Sequence, residues 1–140
     1  MTLDDFKFYF QGAKNLQFTE VRYEILQQTA LTLINKYDYQ EINIIKKNKY
    51  LAPLILKEIT QEFKSFNDVT KYKGEELQFH KRAQVLISGW GSFIKIKKLD
   101  GLTGFADYRL PQILRHYGVL TYRQKLEEKV DKGSLIPHNT

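Results

Sequence analysis

Apolar side chains recur every three to four residues along most of the chain, which is the spacing of amphipathic helices. A first short helix is predicted from Thr2, whose hydroxyl can cap it, and is expected to end at Gly12. A second is predicted from Thr19 and a third from near Pro53, a residue that suits a first helical turn. The stripes expected to face a core are Val21, Ile25, Leu26, Ala30, Leu33 and Ile34 in the second helix, and Leu51, Ile55, Ile59 and Phe63 in the third.

Two stretches, one before and one after the third helix, depart from the helical spacing of apolar residues. Residues 36–49 are rich in Asn and Lys and are predicted to be a polar connection with one apolar patch at residues 42–45. Residues 69–80 have the character of a small hairpin with its turn near Gly74. Helical spacing then returns from Ala83 to Trp90, and two more helices are expected to end near Gly118 and Gly133. The pattern predicts a mainly α fold with one minor β-hairpin near residues 69–80.

Composition indicates an ordinary globular chain. It has 140 residues, of which 42% are hydrophobic and 27% charged, and this length favours one domain. The absence of cysteine excludes disulfides and thiolate ligands, and three scattered histidines (His80, His116 and His138) lack metal-site spacing, so no metal or cofactor is expected. No apolar run approaches the roughly 20 residues of a membrane helix, and the first ten residues do not have the pattern of a signal peptide. A soluble, cytoplasmic protein without membrane contact is expected.

The net charge of +6 is compatible with a phosphate-bearing partner. All but five of the 22 cations are lysines spread along the chain, which is more typical of a solvated surface than of a nucleic-acid patch. Motifs for phosphate loops, dinucleotides, zinc proteases and serine hydrolases are absent.

One segment, residues 99–107, places a glycine-punctuated turn just before an acid at the start of a helix. Asp107 would be kept ionised there by the helix N-terminus and could stabilise a developing cation, such as the oxocarbenium ion formed when a ribose–base bond breaks. The alternative is that Asp107 only caps the helix and Phe105 only packs in the core. Lys81 is expected to share a polar face with Gln84, where it is either solvated or able to reach a phosphate or ribose hydroxyl. Trp90 and Phe105 are either core aromatics or surfaces on which a base stacks.

Two blocks carry a family resemblance. Residues 79–84 (FHKRAQ) and 105–112 (FADYRLPQ) closely resemble the queuosine salvage proteins, which are queuosine 5′-phosphate N-glycosidases. Residues 67–70, Gly74 and residues 118–122 also fit, so the resemblance runs from about Thr2 to about Leu135. It implies a helical core akin to the helix-hairpin-helix DNA glycosylases, and hydrolysis of queuosine 5′-monophosphate to queuine and ribose 5-phosphate for tRNA queuosine salvage. It also implies that Asp107 is the nucleophile or transition-state stabiliser, that Phe105 belongs to the queuine pocket, and that Lys81 lies near the ribose or its phosphate.

The chain also departs from that family. Members are longer, with N-terminal and C-terminal segments that contribute base-binding residues, so residues 1–140 are expected to be a partial N-glycosidase domain lacking both. The family's acid before the tryptophan has no counterpart in residues 87–91, and the loop at residues 94–101 is short. The chain alone is expected to be weakly active or inactive. The expected partners are a small nucleotide and either a complementing chain or a second copy of the protein, without direct nucleic-acid contact.

The residues themselves leave two other functional classes open. One is a non-enzymatic binding module for nucleic acid or nucleotides, built like other helix-hairpin-helix elements. The other, weaker, is a DNA glycosylase, which is disfavoured because arginines are few and no residue is evident that could wedge a base out of a duplex.

Overall fold

The structure, a computed structural model, describes residues 1–12 and 16–137; His138 lies outside them. Within this part of the chain there are seven α-helices and one two-stranded sheet, which confirms the mainly α fold with a minor hairpin; the helix-hairpin-helix arrangement stays a prediction. The elements are α1 (Leu3–Tyr9), α2 (Thr19–Tyr37), α3 (Ile42–Lys47), α4 (Ala52–Glu62), β1 (Val69–Tyr72), β2 (Glu75–Gln78), α5 (Lys81–Gly91), α6 (Arg109–His116) and α7 (Gln124–Asp131).

The chain divides into two compact units, one ending at Phe105 and the other beginning at Ala106. The first unit holds an apolar core where α3, α4, α5 and the end of α2 meet. The parallel bridge between Leu51 and Lys97 joins the start of α4 to the segment after α5. The buried members of this core are Tyr37, Ile44, Ile45, Ala52, Ile55, Ile59, Phe63, Ala83, Ile87 and Ile96.

The third predicted helix is confirmed as α4, with Ile55, Ile59 and Phe63 buried on one side. The prediction that residues 36–49 form a polar connection was wrong. Its apolar patch forms α3, and Ile44 and Ile45 are fully enclosed in the core. Burial of these isoleucines stabilises a helix that the surrounding Asn and Lys residues would not favour alone.

The second helix begins at Thr19 as predicted, but its apolar positions do not form the expected core face. Val21 is 50% exposed, Leu26 and Ile34 are also exposed, and only Tyr37 is buried. The N-terminal part of α2 packs beside α1, where the ring of Tyr23 lies 5.8 Å from that of Phe6. Periodicity therefore identified the helix but not the surface on which it packs.

The predicted helix cap at Thr2 and the predicted hairpin turn near Gly74 were both confirmed. Thr2 and Asp5 form a reciprocal capping box, although α1 ends at Tyr9 rather than at Gly12. The hairpin turns through Lys73 and Gly74, whose positive φ values of 52° and 86° suit a tight two-residue turn.

In the second unit, Gly118 follows the end of α6 with φ 70°, as predicted for a glycine that closes a helix. Arg115 of α6 contacts two acids of α7, with Nη1 2.6 Å from Asp131 Oδ1 and Nη2 3.0 Å from Glu127 Oε1. These ion pairs hold α6 and α7 together within the unit.

Candidate active site

Asp107 lies just before α6 and contacts its N-terminus. The Arg109 N–H donates to Asp107 Oδ1 at 2.9 Å, and Asp107 is partly buried. Tyr108 occupies the cap position of α6, which has no side-chain cap hydrogen bond, so Asp107 bonds the N–H two residues further along without being the helix cap considered from the sequence. The contact places one carboxylate oxygen beside the first N–H of α6, at the end of the helix dipole that attracts negative charge.

Phe105 is not a core residue. It is 40% exposed and lies outside the apolar core of the first unit. Trp90, in contrast, packs against that core from α5, which favours the interpretation of Trp90 as a core aromatic. Of the two aromatic rings considered for base stacking, only Phe105 presents a substantial exposed surface.

Lys81 is the first residue of α5 and is partly buried. It follows His80, which adopts a left-handed backbone conformation with φ 45° at the helix start. The ring Nε2 of His80 lies 3.3 Å from Asn67 Oδ1, so the start of α5 is linked to the segment before the hairpin. Lys81 and Phe105 belong to the first unit, and Asp107 follows in the second.

Beside this helix start lies a polar cleft of about 420 Å³. Its lining contains amides, a hydroxyl and two basic side chains, and no carboxylate, which suits oxygen-rich or phosphate-bearing ligands. The polar lining residues are Lys57, Thr60, Gln61, Asn67, Gln78 and His80.

The prediction that Gln84 shares a polar helix face with Lys81 was wrong. Rather than sharing a solvated surface with Lys81, Gln84 is 3% exposed and its side chain contacts Thr103. The helical spacing placed it on one face with Lys81, but the loop at Thr103 covers Gln84. Sequence reasoning missed this contact, because the spacing of residues 79–84 does not show that Thr103 covers Gln84.

In the first unit, Tyr37, Lys47 and Glu58 form a cluster of ionisable side chains. Burial raises the pKa of the Tyr37 hydroxyl above its ordinary value, and the hydrogen bond to Glu58 raises it further. Across residues 1–12 and 16–137, no three His, Asp or Glu side chains are grouped so that they could hold a metal ion. None of the helices described is long and apolar enough to cross a membrane.

Comparison with known proteins places these residues in context. The chain matches the family described as "Queuosine salvage protein" over residues 1–140. It is 32% identical to the "Queuosine 5′-phosphate N-glycosylase/hydrolase" of Bos taurus, with 97% of this chain and 42% of the relative covered. Relatives of the same name in Sphaerobacter thermophilus and Schizosaccharomyces pombe are each 33% identical, covering 98% and 90% of this chain but 44% and 38% of their own lengths. The chain thus spans less than half the length of these curated relatives.

Proposed function

The chain belongs to the queuosine salvage protein family, and from this premise we propose that it hydrolyses the N-glycosidic bond of queuosine 5′-monophosphate. The bond between C1′ and the base breaks, and its electron pair leaves with the base, which takes up a proton. A water oxygen becomes bonded to C1′. The products are queuine, available for tRNA queuosine salvage, and ribose 5-phosphate.

The observation that carries this proposal is the position of Asp107 within the FADYRLPQ block, with its carboxylate held by the first N–H of α6 at 2.9 Å. An ionised carboxylate beneath C1′ would stabilise the oxocarbenium-like transition state, either electrostatically or by forming a bond to C1′. The hydrogen bond from Arg109 restrains the carboxylate, so less reorganisation is needed when positive charge develops.

Phe105 and Lys81 receive substrate-binding roles in the proposal. The exposed ring of Phe105 offers a surface on which the flat queuine base can stack. Lys81 supplies a cation for the ribose or its 5′-phosphate. Queuine is a 7-deazaguanine and lacks the N7 that other purines can protonate on leaving, so hydrogen bonds to its other edges must stabilise the departing base.

We further propose that residues 1–140 form part of the family's N-glycosidase domain and act slowly alone. The curated relatives of this chain are more than twice as long as the matched region. Positioning contributes about 7 kcal/mol or more to reactions of this kind. We therefore expect turnover by this chain below about 1 per second.

The test is to incubate the purified chain with queuosine 5′-monophosphate and to measure free queuine and ribose 5-phosphate by mass spectrometry. Asp107→Asn should reduce the rate by at least about fivefold, since it removes a negative charge beneath C1′ that stabilises the developing cation by about 1 kcal/mol even in water. The matched control is Asp100→Asn, an exposed acid in the preceding turn, which should release queuine at the wild-type rate.

Equal, measurable rates from wild type and Asp107→Asn would refute the assignment of Asp107, and a folded wild-type chain that releases no queuine would refute the proposal that this chain is active alone. Binding of RNA or DNA that weakens steeply with salt, without nucleotide hydrolysis, would favour a binding module instead.

The proposed macromolecular partner is a second copy of the chain. An apolar groove of about 710 Å³ runs between α1 and α2, and Phe10, Phe18 and Val21 expose large apolar surfaces there. Contiguous apolar surface of this kind favours protein–protein contact. Sedimentation should show dimers that Val21→Asp converts to monomers; a compact monomer at all concentrations would contradict the proposal.

A further inference from the structure

Gln84 carries the one buried side-chain amide in the part of the chain that the structure describes. It lies in the first turn of α5, where its backbone N–H donates to the His80 carbonyl at 3.0 Å. A buried amide is costly unless its donor and acceptor atoms are both hydrogen-bonded. The partners of this amide therefore indicate what the residue does.

The two ends of the Gln84 amide contact backbone groups of different segments. Its Nε2 donates to the Phe79 carbonyl at 3.0 Å, and its Oε1 accepts from the Thr103 N–H at 2.7 Å. The Thr103 hydroxyl lies 3.0 Å from Nε2 and 3.1 Å from Oε1.

These partners fix the orientation of the amide. A carbonyl can only accept and an N–H can only donate, so the side chain must present a donor on one side and an acceptor on the other. A carboxylate would lack the donor, and a hydrocarbon side chain would lack both.

The contact joins the two segments that carry the substrate-binding residues proposed for the first unit. Lys81 precedes Gln84 by one helical turn on α5, and Phe105 follows Thr103 closely along the chain. We propose that Gln84 is a positioning residue, which holds the segment bearing Phe105 in register with the helix start bearing Lys81. This rests on the function proposed above for those two residues. Misplacement by about 1 Å can cost about 100-fold in rate.

The first test measures amide hydrogen exchange by NMR in Gln84→Met, which keeps side-chain volume and loses both hydrogen-bonding groups. The Thr103 amide should exchange about tenfold faster or more, because its acceptor is gone, while the Ile55 and Ile59 amides of α4 keep their protection. Gln61→Met, an exposed position on α4, should leave the Thr103 amide unchanged. Unchanged exchange at Thr103, or an equal rise at all three amides, would overturn the proposal.

The second test separates positioning from general destabilisation. Gln84→Met is compared with Ile59→Val, a core change that weakens the first unit without touching the Thr103 contact. Gln84→Met should raise KM for queuosine 5′-monophosphate about tenfold or more, whereas Ile59→Val should keep the wild-type KM. Equal KM values for the two variants would overturn the proposal.

Two further outcomes are also decisive. If Gln84→Met does not fold, Thr103→Val removes only the loop hydroxyl and should raise KM in the same direction by a smaller factor; a wild-type KM there would overturn the proposal. If the wild-type chain releases no queuine, the proposed function fails, and the exchange data alone decide whether Gln84 holds the Phe105 segment.

Discussion

Tyr37 offers the sharpest test of how the first unit is stabilised. It closes α2 and is 2% exposed, and its ring stacks on that of Phe63 with the ring centroids 5.9 Å apart. Its hydroxyl donates to Glu58 Oε1 at 2.6 Å, and the Lys47 ammonium contacts the same oxygen. Tyr37→Phe removes only the hydroxyl, so ring packing is preserved and the hydrogen bond to a carboxylate is lost.

The expected cost follows from that contact. A hydrogen bond to a charged group contributes about 1.5–3 kcal/mol to stability. The Glu58 side chain keeps 15% of its surface exposed, and the Lys47 contact is retained, so some compensation by water is available. We therefore expect Tyr37→Phe to lower the free energy of unfolding by about 1.5 kcal/mol, the lower end of the range.

The assay is urea unfolding followed by the fluorescence of Trp90, the sole tryptophan, which packs against the same core. Tyr39→Phe is the matched control, because Tyr39 is 73% exposed and its change should stay within about 0.5 kcal/mol. A double-mutant cycle with Glu58→Gln should give a coupling energy of about 1 kcal/mol. A coupling energy near zero, or equal effects of Tyr37→Phe and Tyr39→Phe, would refute the reasoning.

Three further predictions concern acid sensitivity and two glycines. Burial alone would raise the pKa of the Glu58 carboxyl, but hydrogen bonds from Lys47 and Tyr37 outweigh it and the pKa is lowered. Its stabilising contribution is therefore present above the ordinary glutamate pKa and is lost as pH falls through the lowered value, so urea unfolding of wild type and Glu58→Gln should converge in acid; a constant difference would contradict this. Gly118→Ala should destabilise the second unit by about 1 kcal/mol, since φ is 70° there, and an unchanged thermal midpoint by circular dichroism would count against it. Gly89→Ala, inside α5 with no atom within 4 Å of the new Cβ apart from the adjoining backbone of its own helix, should stabilise the first unit by about 0.5–1 kcal/mol in the urea assay; destabilisation would contradict the open space around this position.

The features that sequence predicted well are those set by neighbouring residues. The capping box at Thr2, the hairpin turn at Gly74 and the helix stop at Gly118 each depend on a few consecutive positions. The short helix α3 was missed because its stability comes from burial of Ile44 and Ile45 against distant elements. Propensity over six residues cannot report such burial.

In the candidate site, too, local features were predicted from the sequence and contacts between distant segments were not. Asp107 and Phe105 stand out because they belong to one specific eight-residue block, which can be read without knowing the fold. Gln84 was assigned to the same polar face as Lys81 because the two are three residues apart on a helix. Its burial depends on a loop nineteen positions away in sequence, where Thr103 covers it. A contact between distant segments leaves no periodic signal in a single sequence.

In the proposed reaction, the FADYRLPQ block and the enclosure of the site would make separate contributions to the rate. A carboxylate about 4 Å from a cationic C1′ stabilises it by about 1 kcal/mol in water but by about 4 kcal/mol at the dielectric constant of a protein surface. The difference of about 3 kcal/mol corresponds to roughly 100-fold in rate. Because Phe105 is 40% exposed, water reaches the ring on which the base would stack. In the proposed mechanism, Asp107 directs the reaction while the chain alone lacks much of the acceleration, and polypeptide covering Phe105 should raise kcat without any change in Asp107.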